Sequence, residues 1–107
     1  MKKGMIKISV FYPGGKGRTF DMNYYCEKHM PMVSTLLGKS LKGATVDKGI
    51  SGEEPGSKPV YVAVGNLYFA SLESFQKSFV ANIEKIGADI PNYTNIEPEV
   101  LVSEVMM

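Results

Sequence analysis

The sequence predicts an α+β domain, a four-stranded sheet that carries two helices on one of its faces. Three observations predict it. Four short segments are rich in β-branched and aromatic residues or alternate apolar with polar ones. Two longer segments repeat apolar residues at steps of three and four. Their order along the chain is strand, helix, strand, strand, helix, strand, and the 107 residues fit a single domain spanning 1–107.

The first strand covers residues 5–12, with Ile6, Ile8, Val10 and Tyr12 on one face and Lys7, Ser9 and Phe11 on the other. The Gly-rich run 13–17 ends it; this run lacks the spacing of a phosphate-binding loop and reads as a connection. Asp21 is a good N-cap for the first helix. Met22, Tyr25, Cys26, His29, Met32, Val33 and Leu36 form its apolar stripe, and Gly38 its stop. Pro31 lacks an N–H inside this pattern, so a kink is expected just after His29. A weaker strand follows at 41–50, then a polar Gly/Pro loop at 51–58. Residues 60–69 are the clearest strand. Ser71 caps a second helix whose stripe is Leu72, Phe75, Phe79, Ile83 and Ile86, with Val80 at its edge. A turn-rich connection at 89–95 leads to a closing strand at 100–106.

This order is the split βαβ, ferredoxin-like arrangement, in which crossover handedness sets both helices on one face of an antiparallel sheet. Phe11, Val60, Val62 and Val64 suggest that the opposite face is apolar too, and a face-to-face homodimer is the expected way to cover it.

Composition narrows the function classes. Lys+Arg 12 against Asp+Glu 11 gives a net charge of +1, and the lysines are scattered, so a nucleic-acid footprint is not expected. No apolar run is long enough for a membrane span, and no signal-peptide core follows the basic start. A single cysteine allows neither an internal disulfide nor a Cys-based zinc site. The expectation is a cytoplasmic protein with no nucleic-acid or membrane partner and no bound metal or cofactor.

His29 is the only histidine, and it shares its helix face with Tyr25 and Cys26. That face must meet the sheet. A buried histidine there is either an inert, hydrogen-bonded core residue or an acid–base group beside a cavity, its unperturbed pKa being near 6.5. In the second case Tyr25, or Tyr24 one step off the stripe, would orient it or hold a substrate oxygen. Asp21, eight residues earlier and roughly 12 Å away along a helix, is placed to cap rather than to pair with it. Cys26 at helical spacing reads as a small core residue rather than a nucleophile. Met22, Cys26, Met32, Phe75 and Phe79, with hydroxyls from some of Tyr12, Tyr61, Tyr68 and Tyr93, Tyr61 and Tyr93 foremost, would line a pocket for a small apolar or aromatic molecule. Simple packing is the alternative for each of them.

The run Phe20-Asp21-Met22-Asn23-Tyr24-Tyr25-Cys26-Glu27-Lys28-His29-Met30-Pro31-Met32-Val33 resembles the signature of the EthD family: an Asp, a Tyr pair, then His-x-Pro and apolar residues. Ala88-Asp89-Ile90-Pro91-Asn92-Tyr93-Thr94-Asn95 resembles that family's second motif. The resemblance implies a dimeric α+β barrel, made by two ferredoxin-like sheets, and kinship with methylmuconolactone isomerases, polyketide cyclases and cofactor-free monooxygenases. It implies a pocket between sheet and helices, in which His29 and the Tyr24–Tyr25 pair match the positions of an acid–base histidine and its tyrosine partners. Methylmuconolactone isomerases use further histidines, which this chain lacks. The function expected is cofactor-independent acid–base catalysis of isomerase, cyclase or lyase type on a small apolar metabolite. The alternatives are a cofactor-free monooxygenase and a non-catalytic metabolite-binding accessory protein of the ether-degradation type.

Overall fold

A computed structural model describes residues 2–107. β1 (Ile6–Pro13) ends in a loop that leads to Asp21, whose carboxylate accepts a hydrogen bond from the Tyr24 amide at 3.1 Å. The first helical arm then runs as α1 (Met22–Tyr24), a π turn (Tyr25–His29) and α2 (Met30–Leu37). Gly38 ends it at φ +57°, in the region that a side chain disfavours. β2 (Leu41–Lys48) and β3 (Tyr61–Phe69) follow, then α3 (Leu72–Asp89), capped by Ser71, a 3₁₀ turn (Ile90–Asn92) and β4 (Glu99–Glu104). The sheet order is β2-β3-β1-β4, all antiparallel, which is the predicted ferredoxin-like topology.

The kink expected at Pro31 takes the form of the π turn. The Met30 amide bonds back to the Tyr25 carbonyl, five residues away, and the following residue, Pro31, has no N–H to offer. The extra residue in this turn rotates everything after it. Tyr25 and His29 face the sheet as a 3.6-residue period requires, but the buried positions of α2 become Met30, Val33 and Leu37. Met32 and Leu36, counted on the stripe by uninterrupted periodicity, move to its half-buried flank, and Cys26 is exposed.

The core lies between the helices and one sheet face. Ile8 and Tyr12 of β1, Ala63, Leu67 and Phe69 of β3, and Tyr25, Val33 and Leu37 of the first arm are all buried. α3 contributes Ile86 and the half-buried Phe75 and Phe79, whereas Leu72, Val80 and Ile83 of its predicted stripe are exposed. The second sheet face mixes expected apolar residues, Phe11 and Val64 among them, with buried polar ones. Ser9 and Asn66 are buried at its centre, and the Asn66 amide donates to Thr45 Oγ1 at 3.1 Å and Asp47 Oδ2 at 2.8 Å. The apolar side chains on that face include Phe11, packed on Tyr61 with ring centroids 4.9 Å apart, the half-buried Val64 opposite it, and Leu101. A register shift between Tyr12 and Pro13 sets Pro13 opposite Tyr61 and places Tyr61 beside Phe11, away from the helices.

Candidate active site

The π turn, β1 and the end of α3 bring their aromatic and acidic side chains to one place. His29 is only 4% exposed. Its Nδ1 lies 2.9 Å from Asp89 Oδ2, at the last residue of α3. The other carboxylate oxygen of Asp89 accepts from the Tyr24 hydroxyl at 2.6 Å and from the Asn92 side-chain amide at 2.9 Å. Burial works to raise the pKa of Asp89, but the hydrogen bonds from Tyr24, Asn92 and His29 outweigh it and hold the carboxyl below its ordinary value. Asp89 is therefore an anion that only accepts, so Nδ1 carries the ring proton and Nε2 is left with a free lone pair. Burial lowers the pKa of His29, with Asp89 pulling partly the other way, and the imidazole is neutral at physiological pH.

The His29 ring lines a cavity of about 110 Å³ between the sheet and both helices. Val10, Leu67, Met30, Val33, Phe79 and Ile86 supply most of its apolar wall, and Pro98 and Val100 stand beside the sheet edge. Tyr12 and Tyr25 complete it. The Tyr93 hydroxyl sits 3.5 Å from Nε2, a loose contact, and is held at 2.7 Å by the Tyr12 hydroxyl. The Tyr25 ring stacks on the imidazole with centroids 5.4 Å apart, and its phenol oxygen fills the space where a side chain at Gly65 would begin. Burial raises the pKa of Tyr12, Tyr25 and Tyr93, so all three remain neutral donors.

Of the residues singled out in the sequence, the structure brings His29, Tyr25 and Phe79 together at this cavity; Tyr93 touches Nε2 at 3.5 Å but lines the open groove beside Phe20 and Met22 rather than the cavity wall. Tyr24 reaches the site only from behind, through Asp89. The placement of five others is corrected. Cys26 is exposed, its Sγ 3.7 Å from Met22 Sδ, and Met22 borders an open groove beside Phe20 and Tyr93. Met32 is turned off the cavity by the π turn, and Tyr61 lies on the opposite sheet face with its hydroxyl on Glu99. Phe75 packs on Phe69 and Phe79 and is not among the residues of the cavity wall. Two pairings at the site escaped the sequence reading. Asp89 is 60 positions from His29, and only the topology joins them. Tyr12 was legible as an inward residue of β1, but nothing local marked its hydroxyl for Tyr93. Among the described residues no group of three or more His, Cys, Asp or Glu could hold a metal ion, and no helix is long and apolar enough to cross a membrane.

Fold and site together define a ferredoxin-like α+β domain with a histidine–aspartate pair at the edge of an internal apolar cavity. The EthD domain model matches residues 15–97, and the chain belongs to the EthD family. An EthD-like protein from Ralstonia eutropha JMP134 is 40% identical, with a TM-score of 0.92 over 99% of this chain and 96% of that one. An ethyl tert-butyl ether D (EthD) family protein from Bacillus halodurans C-125 is 17% identical, with a TM-score of 0.66 over 95% and 99% of the two chains. A hydroxynitrile lyase from Passiflora edulis shares the fold at 10% identity and a TM-score of 0.59, over 97% and 95%. The fold also occurs in a cofactor-independent oxygenase from Streptomyces nogalater and in a dimeric ferredoxin-like protein from Thermobifida fusca YX, with TM-scores of 0.54 and 0.58. No curated protein sequence matches the chain.

Proposed function

We propose that this protein is a cofactor-independent acid–base enzyme of lyase or isomerase type for a compact, mostly apolar metabolite, with His29 as its general base. The observation that carries this reading is the buried imidazole whose Nδ1 is fixed on Asp89 while the ring lines the cavity. A neutral imidazole at physiological pH takes a proton without first having to lose one. Asp89 holds the ring and stabilises the imidazolium that forms during turnover. Tyr12, its hydroxyl held by Tyr93, and Tyr25, stacked on the imidazole, are the tyrosines of the cavity wall and the donors nearest a substrate oxygen. Tyr24 acts as a positioning residue for Asp89.

The first step is transfer of an O–H or activated C–H proton from the substrate to Nε2. The electron pair left behind then breaks a neighbouring bond or shifts within the molecule, and the imidazolium returns the proton. The hydroxynitrile lyase and the cofactor-independent oxygenase of this fold support the reading as examples of enzymes built on such a domain. An electron-rich substrate that is deprotonated the same way and then reacts with dioxygen is the alternative, and a metabolite carrier is the non-catalytic one.

The test is conversion by the wild-type protein, with no metal or flavin added, of a panel of compact hydroxynitriles, lactones and β-dicarbonyls, compared with His29→Gln. Turnover that His29→Gln loses while ligand binding persists supports the base. Dioxygen uptake during turnover moves the reading to the oxygenase, and binding unaccompanied by any His29-dependent turnover moves it to the carrier. A homodimer through the second sheet face, centred on Phe11, Tyr61 and Leu101, belongs to the same proposal and is read by light scattering in solution.

A further inference from the structure

The cavity offers a buried charge nothing to pair with. Its polar atoms come from His29 and tyrosine hydroxyls, and among the described residues no Lys or Arg lines it. The one ion beside it, Asp89, lies behind the imidazole and is occupied by Nδ1, Tyr24 and Asn92. The groups that face Nε2 can be taken element by element: Tyr12 from β1, Tyr25 from the π turn, Asp89 behind the ring from α3, and Tyr93 from the connection to β4. β3, α2 and β4 contribute Gly65, Leu67, Met30, Val33 and Val100, none of which titrates. The His29–Asp89 pair with a neutral ring therefore already carries one negative charge. A second anion in the cavity would share a single proton with it in an apolar shell, an arrangement that burial strongly disfavours. The volume of about 110 Å³ sets a second limit. An apolar cavity of about 150 Å³ accommodates benzene, so a molecule of one ring or less is the size that fits.

We infer that the site selects uncharged molecules of single-ring size or smaller bearing one weakly acidic O–H or C–H, and admits a carboxylate only together with a proton. This rests on the cavity being the substrate site. It follows from conservation of charge. Moving a proton from a neutral substrate to Nε2 leaves the total charge of substrate, His29 and Asp89 unchanged, whereas the entry of a carboxylate changes it by one unless a proton enters too. Whether the proton resides on Nε2 or on the bound carboxyl, the linkage is the same.

Isobutyramide and isobutyrate are matched in shape and differ in charge, and His29 supplies the only imidazole resonances in the chain. Each is titrated into the intact protein between about pH 6.5 and 8.5, above the ordinary histidine value, with the His29 signals followed by NMR and proton uptake by calorimetry in buffers of different ionisation heat. The expected result is that isobutyramide moves the His29 signals with a Kd that does not change with pH. Isobutyrate moves them with a Kd that rises tenfold per pH unit and takes up one proton per molecule bound. Isobutyrate binding beside His29 with no pH dependence and no proton uptake overturns the inference while leaving the cavity as the site. If neither compound at saturating concentration moves the His29 signals, the cavity is not the substrate site, and the inference fails with that reading.

Discussion

Asp89→Asn removes the negative charge behind His29 while keeping the side chain's size. In the proposed mechanism the imidazole becomes an imidazolium 2.9 Å from Asp89 Oδ2. At that distance, with an effective dielectric of about 20, two unit charges attract by about 6 kcal/mol, which is a ceiling because water reaches the outer edge of Asp89. A general base contributes about 10²–10⁴-fold, or about 3–5 kcal/mol of barrier, and lies within that ceiling. An amide at position 89 also has one acceptor oxygen where three donors converge, from His29, Tyr24 and Asn92. If its NH₂ turns to the ring, the ring proton moves to Nε2 and the lone pair facing the cavity is lost. Asp89→Asn should therefore lower kcat by about 10²–10⁴-fold with substrate binding little changed. The assay is the single-turnover rate on a substrate that the wild-type protein converts, set beside its Kd. A variant within threefold of wild type would refute the role of Asp89 in catalysis, and equal losses in binding and rate would make the residue structural.

Tyr93→Phe leaves the buried Tyr12 hydroxyl without its partner and should cost about 1–3 kcal/mol of stability, read as a lower urea midpoint at unchanged slope; no measurable loss would contradict the pairing. Gly65→Ala places a methyl where the Tyr25 hydroxyl lies and should cost about 1–3 kcal/mol, with Tyr25 pushed off His29 and the imidazole proton shifts altered as its ring current moves away. His29 has a folded pKa below its unfolded value of 6.5, so the unfolded chain binds more protons as pH falls through that value. The stability that His29 contributes is therefore complete above 6.5 and is lost progressively below it, and His29→Gln should flatten that part of a pH series of urea midpoints. A series with the same slope in both proteins would contradict the burial of a neutral ring.

The fold was legible because local signals agreed with the global arrangement. The Asp21 and Ser71 caps, the Gly38 stop and the run of Val, Tyr and Phe in β3 each specify an element without reference to the others. The inward-facing histidine followed from the same periodicity. What failed was periodicity carried through Pro31. One added residue in the π turn rotates Met32 off the cavity, and the register shift at Pro13 puts Tyr61 on the wrong face for it. Both are single-residue insertions, which leave composition untouched and change the direction of every side chain beyond them. The partner of His29 was hidden for another reason. Asp89 lies in a motif that reads as a turn, and its meeting with the π turn depends on where α3 ends over the sheet.

The central claim is that His29 holds its proton on Nδ1, against Asp89, and turns an unprotonated Nε2 to the cavity. Long-range proton–nitrogen NMR of this lone imidazole near neutral pH measures that directly. The expected result is one protonated nitrogen, Nδ1, and one bare nitrogen, Nε2, in the free protein, with Nε2 shifting on ligand binding. A proton found on Nε2, or on both nitrogens, would contradict it.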